Sequence, residues 1–282
     1  MTGFSAEWLA LREPADHRAR AHALQKGICE QLELVARSEQ RGVRLIDLGC
    51  GSGSNLRALA PQLPAQQHWT LVDYDPLLLA AARAALIGWA DQVVSDNAIL
   101  TLRKSTKTIE VEFAQVDLAR DIELVLSWPA DTITAAAFFD LVAEPWLVRF
   151  CKALRVTLYT VLTYDGNEQW LPAHHADASM LKAFHAHQKT DKGFGVAAGP
   201  DASAIMKREL TARGFQVTLA PSPWQIDQAE AAFIHALATG SAAAVRETGL
   251  LNTQELDQWL AARVTAQHCT VGHWDILATP AR

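Results

Sequence analysis

The spacing of apolar residues changes along the chain, and each change marks an element. Residues 1–42 are rich in Ala, Leu, Glu, Arg and Gln without strand-like alternation, which predicts helix. Pro14 is expected to divide this segment, because proline suits a first helical turn better than an interior. Val43 to Leu48 is a short apolar strand, Gly49 to Gly53 a glycine turn, and the chain is then helical to about Ala60. His68 to Val72 reads as a second strand. Asp75-Pro76 supplies an N-cap with proline at the first helical position, opening a helix to about Trp89. Ile109 to Val116, Thr132 to Phe139 and Arg155 to Thr163 follow as strands, and Glu144-Pro145 opens the helix between the last two. Strands alternating with helices imply parallel pairing through right-handed crossovers.

The C-terminal part breaks the alternation. Ala202 to Arg213 is a helix ended by Gly214, Phe215 to Leu219 a strand, and Cys269 to Ala278 the last strand. Between those strands the pattern is wholly helical, over Gln228 to Ala238, Ala242 to Glu247 and Thr253 to Ala266. Residues 165–200 form a second long connection, irregular in pattern. Connections of this length inside a compact domain usually serve as lids or binding loops. The expected organisation is one domain over 1–282. It has an N-terminal helical segment (1–42), a core (43–164) and two substrate-facing insertions (165–200 and 221–266).

Half of the 282 residues are hydrophobic, enough for one large core, and no apolar run reaches the length of a membrane span. The stretch Met1 to Glu7 lacks the basic-then-apolar pattern of a leader, so a cytoplasmic location is expected. The net charge of −6 argues against a phosphate backbone as the main partner, and no DNA is expected. The one compact basic stretch, Arg103 to Lys107, reads as a solvated loop. Four scattered cysteines with no C-x-x-C pair suggest neither zinc nor disulfides.

The chemistry concentrates in Asp47-Leu48-Gly49-Cys50-Gly51-Ser52-Gly53, of the form D-x-G-x-G-x-G between a strand and a helix. Glycines there allow a sharp turn and the close approach of a ligand, and the next helix offers free N–H groups. The following strand ends in Val72-Asp73-Tyr74-Asp75, a carboxylate placed to accept from two ribose hydroxyls. A dinucleotide fingerprint begun at Gly49 needs glycine at Ser54, and one begun at Gly51 needs it at Leu56. Asp47 would also repel a pyrophosphate, whereas it favours a cationic amino group.

Asp47 to Gly53 resembles the first motif of the class I S-adenosylmethionine-dependent methyltransferases, and Leu71 to Pro76 resembles their second. The resemblance covers about residues 43 to 165. It implies a Rossmann-like, doubly wound α/β sheet of seven strands, here with N-terminal helices and a helical insertion before the last strand. It implies S-adenosyl-L-methionine as cofactor, held by Asp47, Gly49, Cys50 and Gly51 at the methionine portion and by Asp73 and Tyr74 at the ribose. Ala114 to Leu118 resembles the third motif more weakly, which assigns Asp117 to the adenine.

Methyl transfer is an in-line displacement, driven by positioning and desolvation, and needs no metal. A base for the acceptor belongs above the strand ends. Asp140 follows the fourth strand and Tyr164-Asp165 the fifth, so these three are candidates. The N/D-P-P-Y/F signature of many amino methyltransferases is absent at Phe138 to Val142. The second insertion adds His174, His175, His185 and His187, then Asp191-Lys192-Gly193-Phe194-Gly195; spacing disfavours a metal, and His187 or His185 is expected to touch substrate. Trp170 and Trp224 fall in the insertions and are candidates to stack on a planar substrate, whereas Trp146, Trp259 and Trp274 are expected in the core. The expected activity is methyl transfer to a small-molecule acceptor. Alternatives are a protein or RNA methyltransferase, a non-catalytic S-adenosylmethionine-binding module and, third, a dinucleotide oxidoreductase. The extra helices either close over the acceptor or form a homodimer interface.

Overall fold

The computed structural model describes residues 5–191 and 193–281. Lys192 and the start of the stretch read as lacking a leader lie outside the described residues. In chain order the elements are helices α1 (Ala6–Ala19) and α2 (His22–Glu39), β1 (Val43–Leu48), α3 (Ser54–Leu59), β2 (Gln66–Asp73), α4 (Pro76–Trp89), β3 (Gln92–Asp96), β4 (Leu100–Lys104) and β5 (Lys107–Gln115). Then come α5 (Leu118–Leu126), β6 (Thr132–Ala136), α6 (Glu144–Ala153), β7 (Thr157–Leu171), α7 (Asp177–Gln188), α8 (Ala202–Thr211), β8 (Phe215–Pro221), β9 (Trp224–Asp227), α9 (Ala231–Thr248), α10 (Thr253–Arg263) and β10 (His268–Pro280).

The described strands form one sheet of mixed direction in the order β3-β4-β5-β2-β1-β6-β7-β10-β8, with β9 pairing β10. The centre, β5-β2-β1-β6-β7, is parallel. β1 shows why the sheet is wound on both faces. Its Val43 and Leu45 enter the apolar cluster that holds α2, α4 and α9, whereas Ile46 and Leu48 enter the one that holds α5, α6 and α8. A strand buried on both faces reads as a continuous apolar run, as this one does. β2 and β6 flank β1 and connect away in opposite directions, so a crevice opens beyond the carboxyl end of β1.

The sheet has ten strands where seven were expected, and the differences have local causes. Leu100 and Leu102 are buried while Arg103 is exposed, an alternation that makes β4 a half-buried strand, paired between β3 and β5. The basic stretch is therefore a hairpin. Arg103 and Lys104 end β4, Lys107 begins β5, and Ser105 turns between them with φ of 53°. β6 stops at Ala136, because Ala137 adopts φ of 50° and Phe138 and Phe139 fold back into an aromatic cluster with Trp146, Phe150 and Phe194. β7 continues past Thr163 to Leu171, since β10 pairs with it from Leu158 to Leu171 across two bulges. Tyr164 and Asp165 thus lie within a strand, not on a loop.

Three helical boundaries also differ. Pro14 sits inside α1 on its exposed side, where water can serve the carbonyl that loses its partner, and the break falls at Arg20-Ala21 instead. Phe184 to His187 belong to α7 rather than to a loop. α9 runs unbroken through Gly240-Ser241, with Ser241 buried against the body. Trp170 and Trp224 are both buried, Trp170 edge-on to Trp259 and Trp224 against Phe233 and His273, so both are core residues.

Candidate functional site

The glycine loop turns between β1 and α3 with φ of 60°, 53° and 77° at Gly49, Gly51 and Gly53, a region that side chains rarely tolerate. Close approach is equally demanding. A Cβ on Gly49 would stand 2.6 Å from Phe138, and one on Gly51 would stand 2.9 Å from Leu9 of α1. The Cys50 amide donates to Val72 O, and its thiol is buried.

Asp47, at the end of β1, is fully buried. Its Oδ1 accepts from Asn55 Nδ2 at 2.7 Å, and Asn55 also donates to Thr134 Oγ1 of β6. Its Oδ2 is buried without a partner. Burial pushes the Asp47 carboxyl up to about 7, against the opposing hydrogen bond from Asn55 and the field of Arg20. Asp73, at the end of β2, accepts from the Gly51 amide at 2.9 Å and the Asp75 amide at 3.0 Å, tying the two turns together. Burial raises its carboxyl as well, and the backbone donors pull it down. Asp75 caps α4 through the Leu77 amide, Asp117 caps α5 through Ala119, and Tyr74 stands exposed beside them.

The roof over this loop is α1. His17 Nε2 lies 3.0 Å from Ser54 Oγ, and Glu13 pairs with Arg57 at 2.8 Å. Arg12, Asp16 and Arg20 are all buried on the inner side of α1. Arg12 Nε donates to Asp16 at 2.8 Å and its guanidinium stacks over Trp224, while Asp16 accepts from Trp224 Nε1. Beneath α1 lies a cavity of about 50 Å³, whose lining includes Arg12, Arg20, Asp47, Gly51 and Asn55.

A second cluster sits one strand further on. Asp140, in the turn after β6, is buried with Oδ1 lacking a partner. Burial pushes its carboxyl up to about 6, opposed by the charge of Arg12 and the Tyr164 amide. The Tyr164 hydroxyl lies 3.1 Å from His185 Nε2 and donates to Glu168 Oε1 at 3.3 Å. Burial and the neighbouring Glu168 push the phenol up, so it stays neutral. Burial lowers His185, and it raises Glu168 to about 7. His273 of β10 packs edge-on to Tyr164 and is held neutral, its imidazole lowered to about 3 by burial and by Arg12.

The structure brings together Asp47, Gly49, Cys50, Gly51 and Asp73 around the glycine loop, and Asp140 with Tyr164 in the neighbouring cluster near Arg12. It does not bring His187 there. That residue pairs with Glu247 at 3.1 Å at the surface, because α7 is a helix and its positions 185 and 187 diverge. Asp165 turns toward Gly272 and accepts from the Asn167 amide, serving the bulge. Of the two alternatives His187 and His185, only His185 reaches the Tyr164 cluster, whereas Arg12, Arg20 and His273 were not foreseen. For His185 the alternative it formed with His187 was the available signal; for the charges of α1 there was none, since hydropathy assigns arginines to the outside. Among the described residues no group of three or more His, Cys, Asp or Glu is arranged to hold a metal, and no helix is long and apolar enough to cross a membrane.

No protein-family model and no curated protein matches this chain. Solved structures do. The YcgJ protein of Bacillus subtilis is 11% identical over 93% of this chain and 100% of its own, with a TM-score of 0.51. A SAM-dependent methyltransferase from Thiobacillus denitrificans, in complex with S-adenosyl-L-homocysteine, is 16% identical over 100% of both chains, at a TM-score of 0.43. Magnesium protoporphyrin IX methyltransferase from Synechocystis, also with that product bound, is 13% identical over 90% of this chain and 83% of its own, again at 0.43. The likeness is one of fold: the chain has the Rossmann-like α/β fold that the class I methyltransferase motifs implied.

Proposed function

We propose that this protein transfers a methyl group from S-adenosyl-L-methionine to a small-molecule acceptor. The observation that carries the reading is Asp47, a buried carboxylate with one oxygen fixed by Asn55 and the other unpartnered, beside a left-handed glycine loop at the switch point of the sheet. An unpaired buried charge is costly, and a cationic ammonium group is the partner that restores it. The residues present thus fit the cofactor. Asp47 and the loop of Gly49, Cys50 and Gly51 would hold its methionine portion, Asp73 and Tyr74 its ribose, and Asp117 the adenine end.

The bound sulfonium would supply an activated methyl group. The chain's own part is to position the acceptor, exclude water and hold a proton acceptor near it. Asp140, in the turn after β6, suits the proton-acceptor role, and the neutral Tyr164 hydroxyl beside it suits positioning by hydrogen bond. Asp140 exchanges a proton close to neutrality, and the neutral His185 backs the Tyr164 phenol. Asp165 and His187, the other sequence candidates, lack that placement. The net charge of −6 favours a small acceptor over a nucleic acid.

The test is calorimetric titration with S-adenosylhomocysteine and, separately, NADH. Micromolar binding of the first alone, lost in Asp47→Asn while that variant still folds, supports the reading. Binding of NADH, or S-adenosylhomocysteine binding indifferent to Asp47, overturns it.

A further inference from the structure

Arg20 ends α1 and is 3% exposed, yet its Nε and Nη1 have no hydrogen-bond partner. A buried guanidinium in this state is rare, because five donors in a fixed fork are expensive to desolvate and leave unpaired. Its charge acts on Asp47, Asp275 and His17, and it lies beside the Tyr159 hydroxyl, but it makes no ion pair within 4 Å among the described residues. It lines the same cavity as Asp47. The cavity is thus lined by a carboxylate oxygen of Asp47 and by a guanidinium two of whose nitrogens lack a partner, and the two groups are not joined.

The backbone at this point is fixed from below. The Ala21 amide donates to Asp275 Oδ2 at 2.8 Å, and Asp275 Oδ1 accepts from the Leu162 amide at 2.9 Å, where β7 adopts a left-handed φ of 59°. Asp275 of β10 thereby pins the junction of α1 and α2 to the sheet, and with it the origin of the Arg20 side chain. Asp275 spends both oxygens on amides, so it compensates Arg20 only through space.

We infer that Arg20 is the carboxylate-binding residue of the cofactor site, taking the α-carboxylate of a ligand's amino-acid moiety while Asp47 takes its α-ammonium. This rests on the proposed function and adds a selectivity to it: the enclosed part of the site recognises a zwitterion, not merely a nucleoside. A guanidinium matches a carboxylate by two parallel hydrogen bonds, which a water or an ammonium group does not reproduce.

The experiment compares S-adenosylhomocysteine with S-adenosyl-3-thiopropylamine, the same molecule without its carboxylate, by calorimetry on wild type, Arg20→Met and Arg20→Lys. A charge-assisted pair contributes on the order of a tenfold to hundredfold change in Kd. The expected result is that wild type binds the amine about 30-fold more weakly than S-adenosylhomocysteine. Arg20→Met should weaken S-adenosylhomocysteine by a similar factor while binding the amine as well as wild type does, or better. Arg20→Lys should recover part of the loss, and it carries the comparison if the methionine variant does not fold. Equal weakening of both ligands, or none for either, overturns the inference and makes Arg20 a structural counter-charge. If wild type binds neither ligand, the proposed function falls and this inference falls with it.

Discussion

The Tyr164 hydroxyl and His185 Nε2 stand 3.1 Å apart, joining the middle of β7 to the far end of α7. The phenol is also within reach of Glu168, so one hydroxyl links a neutral imidazole to a buried carboxyl. Tyr164→Phe should cost about 1–2 kcal/mol, because it leaves buried polar groups without a partner. It should leave S-adenosylhomocysteine affinity unchanged and slow methyl transfer tenfold or more, as expected for loss of a hydroxyl that positions the acceptor. Chemical denaturation, calorimetry and single-turnover assays read these separately. His187→Ala, which removes only a surface pair with Glu247, should change stability by no more than about 0.5 kcal/mol and leave transfer intact.

Asp47 makes a prediction about pH. Its carboxyl titrates near 4 in the unfolded chain and near 7 in the fold. Between those values the folded chain keeps a proton that the unfolded chain has lost, so this group's contribution to stability falls as pH rises from about 4 to about 7 and is level above. Asp140 and Asp275 act in the same direction, so the difference between wild type and Asp47→Asn isolates the one group. Thermal unfolding from pH 5 to 8 should show a flatter profile in the variant. An ammonium group placed beside Asp47 lowers its pKa. Binding below pH 7 should then release a proton, seen as a buffer-dependent enthalpy absent in the variant.

Gly51 and Gly53 separate strain from contact. Both adopt a left-handed φ, but a Cβ at Gly51 meets Leu9 at 2.9 Å, whereas one at Gly53 finds only ordinary contacts from 3.4 Å. Gly53→Ala should cost about 1 kcal/mol, the backbone term alone. Gly51→Ala should cost about 2–3 kcal/mol, since overpacking adds to strain. Leu9→Ala in the Gly51→Ala background should return part of the difference. Equilibrium denaturation of the four proteins measures it.

Asp177 holds the insertion together. It accepts from Arg263 Nε and Nη2 at 3.1 Å and from Trp259 Nε1 at 2.9 Å, and Arg263 is 1% exposed. Asp177→Asn should cost about 3 kcal/mol, because it strands a buried cation. Protease sensitivity should appear first in α7 and α10, with ligand binding at the glycine loop preserved in the folded fraction.

The core of the fold and the glycine-loop part of the candidate site were legible in the sequence because their causes are local. An apolar run, a left-handed glycine turn and an acid at the end of the next strand require only neighbours in the chain, so β1, Gly49 to Gly53, Asp73 and the Asp75 cap stand where the pattern put them. The two-faced burial of β1 also follows from its unbroken apolar run.

The rest depended on partners distant in sequence. Asp165-Gly166-Asn167 has turn chemistry, but β10 pairs on both sides of it, at Tyr164 and at Glu168, and holds it within the strand as a bulge, so Tyr164 lies in the sheet. The same pairing, with the helical phase of α7, selects His185 over His187. On α1 the inward side carries Arg12, Asp16 and Arg20, a pattern that hydropathy reads as solvent-facing; Asp16 is satisfied by Trp224 and Arg12 by Asp16, more than two hundred residues of chain folding back to make the first contact possible. Local sequence determined where the glycine loop and its acids lie. Tertiary structure alone decided which charges surround them, because a buried charge is tolerated only where the fold supplies its compensation.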